Sequence, residues 1–491
     1  MEEKIDGEDG KFRLINKFSN INSKFNQLSD AKKSAIAYMF ASFVQQGISF
    51  IITPLFTRLM STSEFGTVTV YNSWVEMVAT MATLSLYSGI FNVGMVDYEN
   101  KRDSFTSALL GLSNIATIIV MSVFYVCSIV FPEWIGLSPS LVFLMLLYFI
   151  FYPATRFWIA RQRFEYKYKM LTFVTILSAL LSPIVGLMAV LLSNLNLGVA
   201  RLWGSNSVII SIGIIFYIHI VKKDKHIFDK KIWKYALVFS LPLVPHYLAM
   251  HVLAASDKVM IQNYSGTSEA ALYGLAYTAS MVITVAWTAI NGSLTPYVLE
   301  CLKKDKLDEI QRVALPCVLI FSGLCILVVI LAPEVIIILG GENYAESIPL
   351  IPPLIAAVLF MEMYNLFAMV EFYHKKTVFI MFATSVAAVL NIVLNALLIP
   401  RLGYKAAAYT TLVCYVVYCF LHFINMKRIE PRKIYDGKLL AVISIAYIFI
   451  CLGTLVLYPY TWLRYTVLAV VVFLIIIFRG RIFCLYNSMK G

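Results

Sequence analysis

Fourteen apolar blocks, separated by clusters of charge, decide what this chain can become. They run over 34–58, 66–92, 105–131, 139–160, 169–192, 198–221, 235–256, 270–297, 311–332, 350–372, 378–399, 404–425, 438–457 and 463–479. A helix needs about 20 residues to cross the hydrocarbon of a bilayer. In lipid the backbone must satisfy its own polar groups, so such blocks fold as spanning helices. The expected fold is an all-α integral membrane protein with about 14 transmembrane helices. Only 14% of the 491 residues are charged and 60% are hydrophobic; an ordinary soluble domain carries about 25% charge. The first 33 residues are polar, so the first apolar block comes too late for a cleavable signal peptide.

Basic residues then orient the chain. With the amino terminus in the cytoplasm, the inner segments hold 33 of the 40 Lys and Arg residues, notably 1–33, 161–169, 222–234 and 427–438. The outer side holds Arg58, Arg201, Lys258, Arg401, Lys405 and Arg464, and Arg156 lies within a span. Short loops rich in Lys and Arg stay inside, which places both ends in the cytoplasm. The net charge of +12 is therefore a topology signal and calls for no nucleic-acid partner. Ahead of the first span, Leu14, Phe18, Ile21, Phe25 and Leu28 recur at helical spacing among lysines and an arginine. That pattern fits an amphipathic helix on the inner leaflet or a flexible tail. The eight cysteines are scattered without a metal-ligand spacing and carry no chemistry.

The two halves match at a constant offset of 205 residues. Thr62-Ser63-Glu64 returns as Thr267-Ser268-Glu269, Lys101 and Asp103 as Lys306 and Asp308, and Leu197-Gly198 as Leu402-Gly403. Six spans separate equivalent points, and an even number leaves both copies in the same orientation. Such parallel repeats are related by an axis along the membrane normal. The expected organisation is a cytoplasmic tail (1–33), an N-lobe of helices 1–6 (34–222), a C-lobe of helices 7–12 (223–426), and helices 13–14 with a short tail (427–491).

Local sequence adds a family resemblance. "PLFTRLMSTSEFGTVTVYNS" (54–73), "SLPLVPHYLAMHVLAASDKVMI" (240–261) and "NIVLNALLIPRLGYKAAAY" (391–409) resemble the polysaccharide-transporter branch of the multidrug/oligosaccharidyl-lipid/polysaccharide exporter superfamily. The resemblance covers nearly the whole chain. It implies a flippase that moves undecaprenyl-diphosphate-linked oligosaccharide repeat units to the outer leaflet of the bacterial inner membrane, for O-antigen, capsule or exopolysaccharide assembly. A polysaccharide polymerase and chain-length machinery are the implied protein partners. No bond is made or broken, no cofactor is implied, and H+ or Na+ is the expected coupling ion.

That chemistry assigns roles to charges placed at or within spans. Arginine matches phosphate through its paired donors, so Arg58, Arg156 and Lys258 are candidates for the diphosphate. Gln45 and Gln46 are candidates for the glycan. Glu76, His246 and Glu362 fall near mid-membrane, the first two about 18 Å along their helices at 1.5 Å per residue. A charge at that depth calls for a cavity or a partner. With Asp257, they are the candidates for coupling, with Glu76 and His246 sharing a proton. By the same count Asp257 and Lys258 fall near the outer interface, about 35 Å along, where Lys258 could snorkel. Pro242 and Pro245 should bend the seventh span.

Three other readings compete. A cation-coupled multidrug-type exporter of the superfamily usually has twelve spans. A peptidoglycan-precursor flippase carries several arginines in its first span, where this chain has Gln45-Gln46 and only Arg58 at the far end. A membrane glycan polymerase or ligase needs a large charged outer loop, whereas the longest one in this chain, 333–349, has only Glu334, Glu342 and Glu346 as charges.

Overall fold

The structure is a computed structural model that describes residues 29–194 and 196–488. The apolar stripe of the amino-terminal tail lies outside the described residues. Helices and short 3-10 turns make up the secondary structure, with no strand among the described residues. The first helices are α1 (Asp30–Leu59), α2 (Thr62–Thr83), α3 (Gly89–Asp97), α4 (Arg102–Val130), α5 (Pro132–Ile135), α6 (Pro139–Phe164), α7 (Tyr168–Leu192) and α8 (Leu197–Lys223). Next come α9 (Lys230–Ser240), α10 (Val244–Tyr264), α11 (Thr267–Met281), α12 (Thr284–Lys303), α13 (Leu307–Ile330) and α14 (Ala332–Gly340). The chain closes with α15 (Ile351–Tyr373), α16 (Thr377–Leu402), α17 (Ala406–Ile429), α18 (Gly437–Leu457) and α19 (Thr461–Ser488).

Among the described residues, 12 helical segments are long and apolar enough to cross a membrane. This is a multi-pass membrane protein. Helix α2, placed in the second expected span, is not one of the 12. Its sequence carries a polar side chain at almost every turn, because it packs against α4, α8, α10 and α11 instead of lipid. That span also differs from the continuous 66–92 block expected: α2 stops at Thr83, and Leu84 and Ser85 both take positive φ before α3 begins. The seventh span is broken as its prolines require, by a 3-10 turn at Leu241–Leu243 between α9 and α10.

Local signals start the helices where the sequence places them. Ser61 and Glu64 form a reciprocal capping box that begins α2. Asn196 accepts from Val199 N to begin α8, and Asp436 caps α18. Both Thr-Ser-Glu copies open helices, at Thr62 and Thr267.

The helices up to Lys223 pack chiefly on one another, and those from Val244 to Ile429 do the same. The link 224–229 and α9 lie on the first group: Ser104 donates to Asp224, Ser107 to Asp224 O (2.8 Å), and Trp233 to Ala108 O (2.8 Å). The two groups meet at one end of the bundle. There a Cβ on Gly66 would lie 1.9 Å from Thr267 O, so only glycine lets α2 and α11 approach this closely. Thr62 donates to Ser268 (3.2 Å), Thr57 to Leu339 O (2.5 Å), and Asn263 to Trp134 O (3.0 Å). We call this the sealed end and the opposite one, rich in Lys and Arg, the basic end. Deeper in, the contacts thin out. The side chains of Glu76 and His251 are 43% and 37% exposed, Gln45 and Gln46 are exposed, and a Cβ on Gly292 would meet nothing within 4 Å. Glu76 and His251 therefore stay part-exposed where the two groups meet.

Candidate functional site

Helices α1, α2, α6, α7 and α8 enclose a cavity of about 470 Å³ within the first group. Three of its walls contain an internal proline, Pro54 in α1, Pro153 in α6 and Pro183 in α7. Each removes one rung of helical hydrogen bonding and loosens the wall. The lining is polar and aromatic, with Tyr38, Gln45, Asn72, Tyr152 and Asn206 among it. Its charges are three arginines, Arg156, Arg163 and Arg201, and no carboxylate lines it among the described residues.

None of the three arginines forms a salt bridge among the described residues. They lean on rings. Arg156 lies 5.0 Å from the Tyr87 ring centre and 6.0 Å from Tyr152. Arg163 lies 3.5 Å from Tyr38, and Arg201 lies 3.8 Å from Phe56. Ring faces attract cations but take none of their N–H donors, so the Arg156 and Arg201 forks stay available; Arg163 also shares a side-chain hydrogen bond with Tyr38. Arg156 and Arg163 are seven residues apart and share a face of α6, separated by about 10 Å of rise. Helix α8 starts at the sealed end, so Arg201 in its first two turns marks the far end of the cavity. A recess holding three fixed positive charges will concentrate anions.

Of the residues singled out in the sequence, Gln45 and Arg156 line this cavity, while Gln46 is exposed on the next position of α1. Arg58 lies at the sealed end, where it donates to Pro54 O (3.1 Å) and Ile338 O (3.2 Å). By sequence alone Arg163 and Arg201 pass for loop charges. The seven-residue spacing from Arg156, and the polar Ser205 and Asn206 one turn beyond Arg201, are the signals that mark them.

A second polar site lies where the groups meet. Glu76 on α2 faces His251 on α10, with 3.4 Å between Oε1 and Nδ1. This replaces the pairing with His246 expected from depth along the helix. The His246 ring instead lies beside Tyr247, and its Nδ1 is buried without a hydrogen-bond partner. The snorkelling expected of Lys258 is also corrected: Asp257 and Lys258 are both buried, 1% and 8% exposed. Counting rise gives depth but not which neighbours cover a residue, and here α11, α16 and α17 do so. Asp257 accepts from Tyr273 (2.5 Å), Asn395 (2.6 Å) and Thr411 (2.7 Å). Lys258 donates to Ala254 O (3.2 Å) and lies 3.9 Å from the Tyr277 ring centre. Glu76 thus has His251 as its partner, while Asp257 is held by three neutral donors. Glu362, on α15, accepts from Asn365 (3.1 Å). Another buried carboxylate, Glu371, accepts from Asn425 (2.7 Å) and lies 2.7 Å from His422 Nδ1.

A family model described as polysaccharide biosynthesis protein matches residues 31–302. Among curated proteins, Lsg locus protein 1 of Haemophilus influenzae is 25% identical over 115 residues, 23% of this chain. The match spans 29% of that relative's own length. Among solved structures, the lipid II flippase MurJ in an inward closed conformation has a TM-score of 0.63 at 14% identity, over 91% of this chain and all of that one. An inward-facing multidrug resistance transporter of the MATE family, in the MOP superfamily, gives 0.56 at 12% identity over 80% of this chain and 96% of its own. A MOP superfamily transporter from Pyrococcus furiosus gives 0.53 at 14% identity, over 82% of this chain and 96% of its own. At these identities the likeness is one of fold.

Proposed function

We propose a function from one premise: the chain belongs to the polysaccharide biosynthesis protein family. On that premise it is a flippase that carries undecaprenyl-diphosphate-linked oligosaccharide repeat units from the cytoplasmic to the outer leaflet of a bacterial inner membrane. The basic end faces the cytoplasm, following the distribution of Lys and Arg. The architecture is two parallel six-helix lobes with two further carboxy-terminal helices, 14 spans in all, rocking to expose the site to either side in turn.

The observation that carries the reading is the cavity with three arginines and no carboxylate among its described lining. A diphosphate offers what those forks lack, anionic oxygens in pairs that can accept bidentate N–H bonds. The neutral tyrosines, Gln45 and Asn72 suit the hydroxyls of a glycan, while the long lipid tail stays in the bilayer. The polar site at the junction is assigned to coupling. A proton or cation entering near Glu76, His251, Lys258 and Asp257 would neutralise a carboxylate there and bias one lobe arrangement by its differential affinity. The positive lining suits an anionic substrate and sets this reading apart from a cation-coupled multidrug-type exporter only where that exporter's substrates are cations. The peptidoglycan-precursor flippase shares the diphosphate chemistry and differs in the sugars.

The test is translocation of a lipid-linked diphosphate oligosaccharide in proteoliposomes containing the full chain. The wild type is expected to move it, and Arg156→Gln with Arg163→Gln to fail while remaining folded. Comparing a repeat-unit lipid with a peptidoglycan precursor separates the two flippase readings. Wild-type transport by the double variant would remove the cavity from the pathway.

A further inference from the structure

Arg201 differs from the other two cavity arginines in what it touches. Its guanidinium lies 3.8 Å from the Phe56 ring centre and 5.2 Å from that of Phe65. Both rings belong to the sealed end, and both are buried. Phe65 meets the edge of Tyr344 at 5.9 Å between centres, with the planes 80° apart. Tyr344 comes from the second group and is fully buried, held where a Cβ on Gly340 would lie 2.5 Å from its own Cβ. The chain Arg201–Phe56/Phe65–Tyr344 therefore runs from the cavity into the contact between the two groups.

Two polar atoms in this chain are unsatisfied. Arg201 Nη1 and the Tyr344 hydroxyl are both buried without a hydrogen-bond partner. No carboxylate lines the cavity around Arg201 among the described residues. A guanidinium nitrogen buried in this way normally has an anionic partner, because leaving it unpaired is costly. Here only ring faces hold it. An arrangement of this kind favours any state in which the guanidinium finds an anion.

We propose that Arg201 is the latch through which an anion in the cavity releases the sealed end. A diphosphate at the far end of the cavity takes the free N–H groups of Arg201 and draws the guanidinium away from Phe56 and Phe65. The aromatic contact then loses the cation that joins its two rings, and the closure against Tyr344 weakens. The anion binds the released state better than the sealed one, and that difference is what shifts the equilibrium. Arg201 thereby acts as a positioning residue for gating, while Arg156 and Arg163 supply capture. The assignment rests on the diphosphate reading of the cavity, and it adds the link between ligand arrival and opening.

The experiment measures seal closure and binding separately on the full chain in nanodiscs. Cysteines at Thr62→Cys and Ser268→Cys, whose hydroxyls are 3.2 Å apart, report closure by their rate of cross-linking. Binding of undecaprenyl diphosphate or of inorganic pyrophosphate is followed by calorimetry. In the reporter protein with Arg201 intact, ligand is expected to slow cross-linking by about fivefold or more, the size of an ordinary coupling. Arg201→Gln should still bind ligand through Arg156 and Arg163 but lose the slowing. Arg201→Lys, which keeps the charge without the fork, should recover part of it. Phe56→Leu leaves Arg201 in place and should slow cross-linking without ligand. A response to inorganic pyrophosphate shows that the diphosphate alone suffices; a response to the lipid alone shows that its tail must anchor it. The proposal is overturned if Arg201→Gln binds ligand and slows like the intact reporter, or if the intact reporter binds ligand with no change in cross-linking. Binding of neither probe would overturn the diphosphate reading itself, and the latch with it.

Discussion

The helices before residue 224 enclose a hollow; those after residue 243 are filled. In the first group three arginines look into open space with only aromatic residues for support. In the second, Asp257 is wrapped by Tyr273, Asn395 and Thr411, and Glu371 by His422 and Asn425. The two interiors also differ in sign, cationic and unpaired against anionic and bonded. A buried charge without an ion-pair partner is poised to take a ligand, whereas one whose lone pairs are all occupied fixes helices in place. The first group is thus built to bind and the second to hold its shape as it moves.

The sharpest way to break this contrast is to open a gap in the bonded side. Asn395→Leu removes the donor to one oxygen of Asp257 and disturbs the contacts with Asn391 and Thr410. Leaving a buried carboxylate short of a partner should cost about 3 kcal/mol. The readout is thermal unfolding in detergent followed by a thiol-reactive dye, since Cys414, Cys419 and Cys451 are buried. Adding Asp257→Asn should recover part of the loss. If Asn395→Leu unfolds at the wild-type temperature, the second group is not held by this network.

Next in size is the junction. Gly66→Ala places a methyl against Thr267 O at a distance no relaxed structure tolerates. Overpacking of this kind costs about 2 kcal/mol, and the cost falls on the sealed arrangement alone. Cross-linking at the Thr62–Ser268 contact should slow, with little change in the unfolding temperature of either group.

Smaller still is the effect on the hollow side. Arg156→Gln removes no salt bridge and should leave stability within about 1 kcal/mol. It should weaken binding of a lipid-linked diphosphate by about tenfold, the worth of a hydrogen bond to a charged group. Loss of stability with unchanged binding would reverse the roles of the two groups.

The sequence carries these two regions unequally. Spanning helices are legible because apolar length alone specifies them, and the breaks near Pro242 and Pro245 follow from missing N–H groups. Helix α2 is harder to read, since a helix surrounded by protein needs no apolar face toward lipid. Its end at Leu84 has no proline or glycine to announce it until Gly89. Arg156 and Gln45 could be placed in a cavity because a polar group amid an apolar run needs one. Arg163 and Arg201 could not, because near a loop the same residue type serves as a topology signal. Asp257, Asn395 and Thr411 come from three helices far apart in the chain, and residue spacing is silent about such meetings.

The smallest effect lies at the basic end, where each group has an arginine bridging two carboxylates. Arg161 binds Asp103 and Glu165; Arg432 binds Asp305 and Glu430. The Arg161 side chain is 18% exposed and that of Arg432 56%, so solvent screens the second bridge more. The Arg432 guanidinium holds the Glu430 carboxyl below its ordinary value of 4.5, against an opposing effect of burial. Burial would lift Glu165, but Lys167 and Arg161 bring it below the same value. A carboxylate whose folded pKa is depressed contributes stability above its unfolded pKa and loses it as pH falls through the folded one. Both contributions are therefore present at neutral pH and disappear below about 4.5. Each is worth no more than about 1 kcal/mol. Unfolding temperatures measured from pH 7 down to pH 3 should show a smaller acid drop for Glu165→Gln than for the wild type. Glu430→Gln should show the same change in weaker form, since its arginine is the more screened. An equal or larger change for Glu430→Gln would place the tighter basic-end bridge in the second group and reverse the order of the two.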